Sequence, residues 1–145
     1  MTYIKGAIAE SPKLLLLKTN NGAGSLTLND LVSFNTTPIF DNLVGATINS
    51  DNIVLGPGNY MIDSGLGIDN SADPVNNYTE FNITVDNVAQ ANPATSIQDN
   101  KVGVDASVVA LSIETGTKTI SVKITALGGT CNVADDYSWL KIIQV

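Results

Sequence analysis

Apolar and polar residues alternate with a period of two in several stretches of the chain. Tyr60, Ile62, Ser64, Leu66 and Ile68 share one phase, with polar neighbours such as Asp63 and Asp69 on the other. Phe81, Ile83 and Val85 alternate with Glu80, Asn82, Thr84 and Asp86, and Ile120, Val122, Ile124 and Ala126 with Thr119, Ser121, Lys123 and Thr125. Successive side chains of a strand point to opposite faces, so each stretch predicts a strand with one face on a core and one in water. Two other stretches break this rule. From Val102 to Glu114, above all around Val108 to Leu111, and from Trp139 to Val145, both phases are apolar, which predicts strands covered on both faces. No window keeps the i, i+3, i+4, i+7 spacing of an amphipathic helix, and Asn, Thr, Gly and β-branched residues dominate, so strands must carry the fold.

Turn residues fall between these runs: N-G-A-G at 21–24, G-P-G at 56–58, N-S-A-D-P at 70–74, A-N-P at 91–93, E-T-G-T at 114–117 and G-G-T at 128–130. This punctuation predicts an all-β antiparallel sandwich of about eight or nine strands. At 145 residues and 43% hydrophobic content the chain can build one core. No internal repeat or low-complexity linker divides it, so the expectation is a single domain over 1–145, with Met1 to about Pro12 readable as an arm ahead of the sandwich.

Charge narrows the function classes. The basic residues are 7 lysines against 14 acids, for a net charge of −7, and there is no arginine. Scattered lysines on an acidic surface do not supply the clustered positive charge that nucleic acid or an anionic membrane needs. The longest aliphatic run, Leu14 to Leu17, is bracketed by Lys13 and Lys18 and falls far short of the ~20 residues of a spanning helix. The N-terminus shows no secretory n-region and apolar core, so the expectation is that the chain is made in the cytoplasm or has already been processed. Histidine is absent and Cys131 is the only cysteine, which removes zinc and haem sites, an intrachain disulfide and imidazole-based nucleophile activation.

The remaining motifs read as structure. Asp135 and Asp136 are adjacent, so in an extended strand they face opposite ways and cannot act as a glycosidase acid pair. Asp69, Asn70, Ser71 and Asp73 offer oxygen ligands of the kind calcium takes, yet lack the spacing of a calcium loop and read as an Asx-rich turn into Pro74. G-P-G at 56–58 and G-L-G at 65–67 lack the lysine and helix of a phosphate loop. Sequons at Asn35, Asn77 and Asn82 match chance in an Asn- and Thr-rich chain. Tyr78, Tyr137 and Trp139 lie near turns and could stack on sugars, although packing is the commoner use of such rings. The expectation is a protein that is not an enzyme and takes no cofactor.

Two segments carry a resemblance. G-A-T-I-N-S-D-N-I-V-L-G-P-G-N-Y-M-I-D-S-G at 45–65, an apolar strand, a Pro-Gly turn and a Tyr-led strand, resembles the trimeric jelly rolls related to tumour necrosis factor and complement globular heads. Y-S-W-L-K-I-I-Q-V at 137–145 resembles the terminal strand of the same family. The likeness runs from roughly Ser33 to Val145, and residues 1–32 match nothing in the family pattern. It implies an antiparallel jelly roll that works as a homotrimer, with subunits meeting along a three-fold axis through hydrophobic strand faces. The expected contact residues are Tyr60, Val109, Leu111, Trp139 and Ile143. Viral members of the group imply a bacteriophage structural protein, a head decoration or head fibre component of the virion bound to the major capsid protein or another virion protein. The alternative is a fibre-tip module that recognises host glycan or surface protein through the loops at one end of the sandwich.

Overall fold

The apolar rows can be buried only by laying two sheets face to face, and a computed structural model shows that arrangement for residues 13–22, 24–69, 78–90, 94–97, 102–129 and 131–145. In chain order the strands are β1 (Lys13–Lys18), β2 (Ser25–Leu26), β3 (Phe40–Asp41), β4 (Thr47–Ile48), β5 (Ile53–Leu55), β6 (Gly58–Asp69), β7 (Tyr78–Val85), β8 (Val88–Ala89), β9 (Ala94–Ile97), β10 (Val102–Ile113), β11 (Lys118–Gly128) and β12 (Cys131–Gln144). Eight of them have three or more residues, in line with the turn spacing, and four are two-residue pieces.

The first sheet has the order β10-β6-β12-β1-β3, with β2 also paired to β12; the second has the order β4-β5-β11-β7-β8, with β9 also paired to β7. All pairings are antiparallel. β5, β6 and β7 alternate between sheets, and so do β10, β11 and β12. The connections therefore cross the ends of the sandwich, which makes it a jelly roll.

Leu15, Leu17, Tyr60, Ile62, Leu66, Ile68, Leu140 and Ile142 from the first sheet meet Ile53, Leu55, Phe81, Ile83, Ile120, Val122 and Ile124 from the second. Each such side chain contributes about 1.5–3 kcal/mol on full burial. Between β2 and β3 the chain crosses from one sheet to the other: Leu31 bridges Lys123 and Phe34 bridges Thr19. Val32 N donates to Val122 O at 2.8 Å, and Val32 and Phe34 are buried in the core.

Turns fall where the sequence placed them at Gly22, Gly116 and Gly129, all with positive φ. The turns expected at 70–74 and 91–93 lie outside the described residues. One turn was not foreseen. The alternation runs on through Asp86, but Asp86 and Asn87 take φ of 50° and 66°, the left-handed pair that joins β7 to β8 as a tight hairpin. Asp86 also accepts from Thr119 N and pairs with Lys118 Nζ at 2.7 Å. The lysine and then the amide hold its carboxyl below the usual range.

The expectation of one wet face needs correction on two strands. On β7 the outward Asn82 and Thr84 are 5% and 1% exposed, since short polar side chains in a central strand bond sideways: Asn82 Nδ2 donates to Thr125 Oγ1, and Thr84 Oγ1 to Ser121 O. On β6 the outward Gly65 and Gly67 are buried because side chains of β12 lie over them.

Candidate functional site

The outer face of the first sheet is set by strand register. Across β10, β6, β12, β1 and β3, residues opposite one another share a face, and three rows result. One row runs Leu14, Ile143, Met61, Ala110; the next runs Phe40, Leu16, Lys141, Asp63, Val108; the third runs Lys18, Trp139, Gly65, Ala106. The first row is wholly apolar. The second has apolar ends and a Lys141–Asp63 ion pair of 3.4 Å at its middle. Phe40, Met61 and Val108 are 48%, 40% and 45% exposed, and Ile39 beside Phe40 is 63% exposed. Exposed apolar side chains grouped on one face in this way are characteristic of interaction surfaces.

The third row depends on an irregularity in β12. Ala134 pairs with Gly67 and Trp139 with Gly65, so β12 spends five steps where β6 spends two. The excess is odd, which inverts the alternation. Cys131 and Val133 point into the core before the bulge, and Leu140 and Ile142 after it. Trp139, Lys141 and Ile143 are thereby turned outward. Ser138 closes the gap, donating to Ala134 O at 2.7 Å and accepting from Gly67 N at 2.8 Å. The Trp139 indole lies against Gly65 so closely that a Cβ there would sit 2.6 Å from Cε2 and Cζ2. Only glycine leaves that space. Lys141 Nζ stands 5.7 Å from the indole centroid, a cation–π distance.

Asp135, inside the bulge, anchors the turn after β1. One oxygen accepts from Thr19 Oγ1 at 2.6 Å, Asn21 N at 3.0 Å and Asn21 Nδ2 at 3.1 Å, and the other from Gly22 N at 2.9 Å. Partial burial works against its charge, but these donors together outweigh it and hold the carboxyl below its ordinary value. Next to it Asp136 pairs with Lys18 at 2.8 Å, and that hydrogen bond raises the Lys18 ammonium. An open cavity of about 520 Å³ lies here, with Leu16, Ile39 and Trp139 as its apolar walls and Lys18, Asp136 and Lys141 at its polar edge. A smaller hollow of about 260 Å³ is lined in part by Tyr60, Met61, Leu111 and Val145.

The five expected contact residues separate. Trp139 and Ile143 lie on this face. Tyr60 and Val109 are 4% and 7% exposed and sit in the protomer's own core, and Leu111 is partly buried against it. Tyr60 OH donates to Gly56 O at 3.0 Å, and burial pushes its phenol up. Leu14, Leu16, Ile39, Phe40, Met61 and Val108 were not anticipated. Leu14 to Leu17 did carry the signal, being apolar on both phases like the strands at 102–114 and 139–145.

Cys131 is fully buried, and burial, opposed by a hydrogen bond with Thr79, pushes its thiol up and away from reactivity. Among the described residues no group of three or more His, Cys, Asp or Glu side chains could hold a metal, and no helix is long and apolar enough to cross a membrane. Of the calcium candidates, Asn70, Ser71 and Asp73 lie outside the described residues, as does the sequon at Asn77. What the arrangement can do is bury apolar surface.

No family model matches the sequence, and no curated protein is detectably similar. Solved structures are similar in fold. Murine APRIL at pH 8.0 superposes with a TM-score of 0.63 at 15% identity, over 93% of this chain and all 100% of its own. The globular domain of zebrafish complement 1qA gives 0.65 at 11% identity, over 92% of this chain and 97% of its own. The Eiger TNF of S. frugiperda gives 0.64 at 10% identity, over 92% of each chain. At such low identity these likenesses establish the architecture alone: this chain has the jelly-roll fold seen in tumour necrosis factor and complement proteins.

Proposed function

We propose that the chain is a non-catalytic structural module that assembles as a homotrimer through the outer face of its first sheet. The observation that carries this reading is the unpartnered apolar surface made by Leu14, Leu16, Phe40, Met61, Val108, Trp139 and Ile143 on one sheet. Closing it against another copy removes apolar area from water at about 25 cal/mol per Å², and a stable contact needs roughly 800 Å² per partner. The three-fold arrangement comes from the family resemblance, and a ring of identical head-to-tail contacts is a closed solution that leaves no apolar face over.

The setting we propose is a bacteriophage particle, as a head decoration or head fibre protein held by the major capsid protein or another virion protein. Its support is the resemblance together with an Asn- and Thr-rich composition without arginine. Size-exclusion chromatography with light scattering tests the assembly: a mass three times the 15.2 kDa protomer is expected, and a monomer at micromolar concentration refutes it. Density for this fold on the surface of a purified parent particle tests the setting, and a particle whose mapped surface lacks it rejects the virion role.

A further inference from the structure

The turn after β1 holds the chain's one Asn-Gly pair, Asn21–Gly22. This dipeptide is chemically labile. The Gly22 nitrogen, once deprotonated, can attack the Asn21 side-chain carbon; the bond to the amide nitrogen breaks and ammonia leaves. Water then opens the resulting succinimide to aspartate or isoaspartate, with no redox partner required. Two conditions must be met: the glycine N–H must give up its proton, and the asparagine amide must swing free.

Asp135 opposes both, and Ser33 helps it with the second. Gly22 N donates to Asp135 Oδ2 at 2.9 Å, and the carboxylate charge opposes an amide anion beside it. The Asn21 amide is held at both ends: Nδ2 donates to Asp135 Oδ1 at 3.1 Å and to Ser33 O at 3.4 Å, while Oδ1 accepts from Ser33 N at 2.8 Å. We propose that Asn21–Gly22 is a latent deamidation site which Asp135 keeps closed in the native fold, and whose conversion loosens the β12 bulge. An aspartate at 21 replaces the donor at 3.1 Å from Asp135 with a second carboxylate. An isoaspartate lengthens the main chain and pulls the Asn21 and Gly22 amides out of register with it.

The test is peptide mapping by mass spectrometry of the full chain held warm at mildly alkaline pH, with Asn49–Ser50 as an exposed internal reference. Asn21 in native wild type should convert about tenfold or more slowly than in the same chain in urea, because reaction must wait for local opening. In D135A, shown folded by circular dichroism, it should convert measurably faster than in native wild type but more slowly than in urea, because Ser33 still holds the side-chain amide. Equal rates for native and urea-unfolded wild type overturn the proposal, as does a folded D135A that protects Asn21 as well as wild type. If D135A does not fold, the wild-type comparison decides the protection alone. The bulge is tested with N21D: its melting temperature should fall below wild type at pH 7, and the gap should close as both carboxyls protonate. A gap that is absent at pH 7 overturns that part.

Discussion

The two outer faces of the sandwich come from strands of the same period and similar length, yet they carry opposite chemistry. On the second sheet the outward positions of β7 and β11 are Glu80, Asn82, Thr84, Thr119, Ser121, Lys123 and Thr125, and some of them bond sideways: Thr125 Oγ1 donates to Glu80 Oε1 at 3.0 Å and Asn82 Nδ2 reaches Thr125 Oγ1 at 3.3 Å, while Asn82 Oδ1 is buried without a partner. On the first sheet the equivalent positions are mostly apolar, with Leu14, Leu16, Phe40, Met61, Val108, Trp139 and Ile143 beside Ala106, Ala110 and Gly65, and with the Lys141–Asp63 and Lys18–Asp136 ion pairs as the charged groups. A sheet that ends its packing at water can finish itself with short polar side chains. One that leaves long apolar side chains outward is built to be covered.

The sharpest way to break that contrast is to put a charge on each face. Met61→Glu places an unpaired carboxylate in the proposed contact, which costs about 3–5 kcal/mol if it stays buried there and should convert the trimer to monomer by light scattering. Thr119→Glu, on the second sheet, should leave the mass unchanged. If both variants assemble alike, the apolar face is not the contact. A smaller effect is expected from Gly65→Val, which evicts the Trp139 indole. About 1–3 kcal/mol should be lost in urea denaturation, with Trp139 fluorescence shifted to longer wavelength, and unchanged fluorescence would reject the close approach of indole to glycine.

Asp135→Ala tests the clamp behind the bulge. It removes four hydrogen bonds to a partly exposed carboxylate, so the expected loss near pH 7 is about 1–2 kcal/mol once screening is allowed for. The folded carboxyl is held below its unfolded value, so this stability is present above the ordinary range near 3.9 and is lost as pH falls through the lowered value. Wild type and variant should therefore converge in acid, and a difference independent of pH would contradict the ionic role. The smallest effect belongs to Lys18→Met. Its ion pair with Asp136 is solvent-exposed, so melting in high salt should match wild type, whereas a large drop would mean that Lys18 is structurally required.

Much of this was legible in the chain. Strand period, turn glycines at 22, 116 and 129, and the doubly apolar stretches each follow from local side-chain chemistry. Which residues face outward on the first sheet was legible only in part, for a physical reason. Two apolar phases announce that both faces of a strand are covered without saying which phase meets the core. Val109 points into the core while its neighbour Val108 points outward, and Ile143 lies outside while Ile142 lies inside. The bulge at 134–139 decides the latter, because three extra residues invert the alternation through pairings with a strand some seventy residues away. The hairpin at Asp86–Asn87 was missed because it lacks glycine, and its aspartate is held from across the sheet by Lys118 and Thr119.

By itself, then, the sequence determined an all-β sandwich with one apolar core, and by its lack of histidine and arginine it removed the usual routes to imidazole catalysis and phosphate recognition. Tertiary structure alone decided that β1, β6, β10 and β12 lie side by side, so that residues from Leu14 to Ile143 form one surface, and that Trp139 rests on a glycine that makes room for it. Alternation is a property of neighbours in the chain. A face is a property of register between strands, and register is fixed only when distant segments pair.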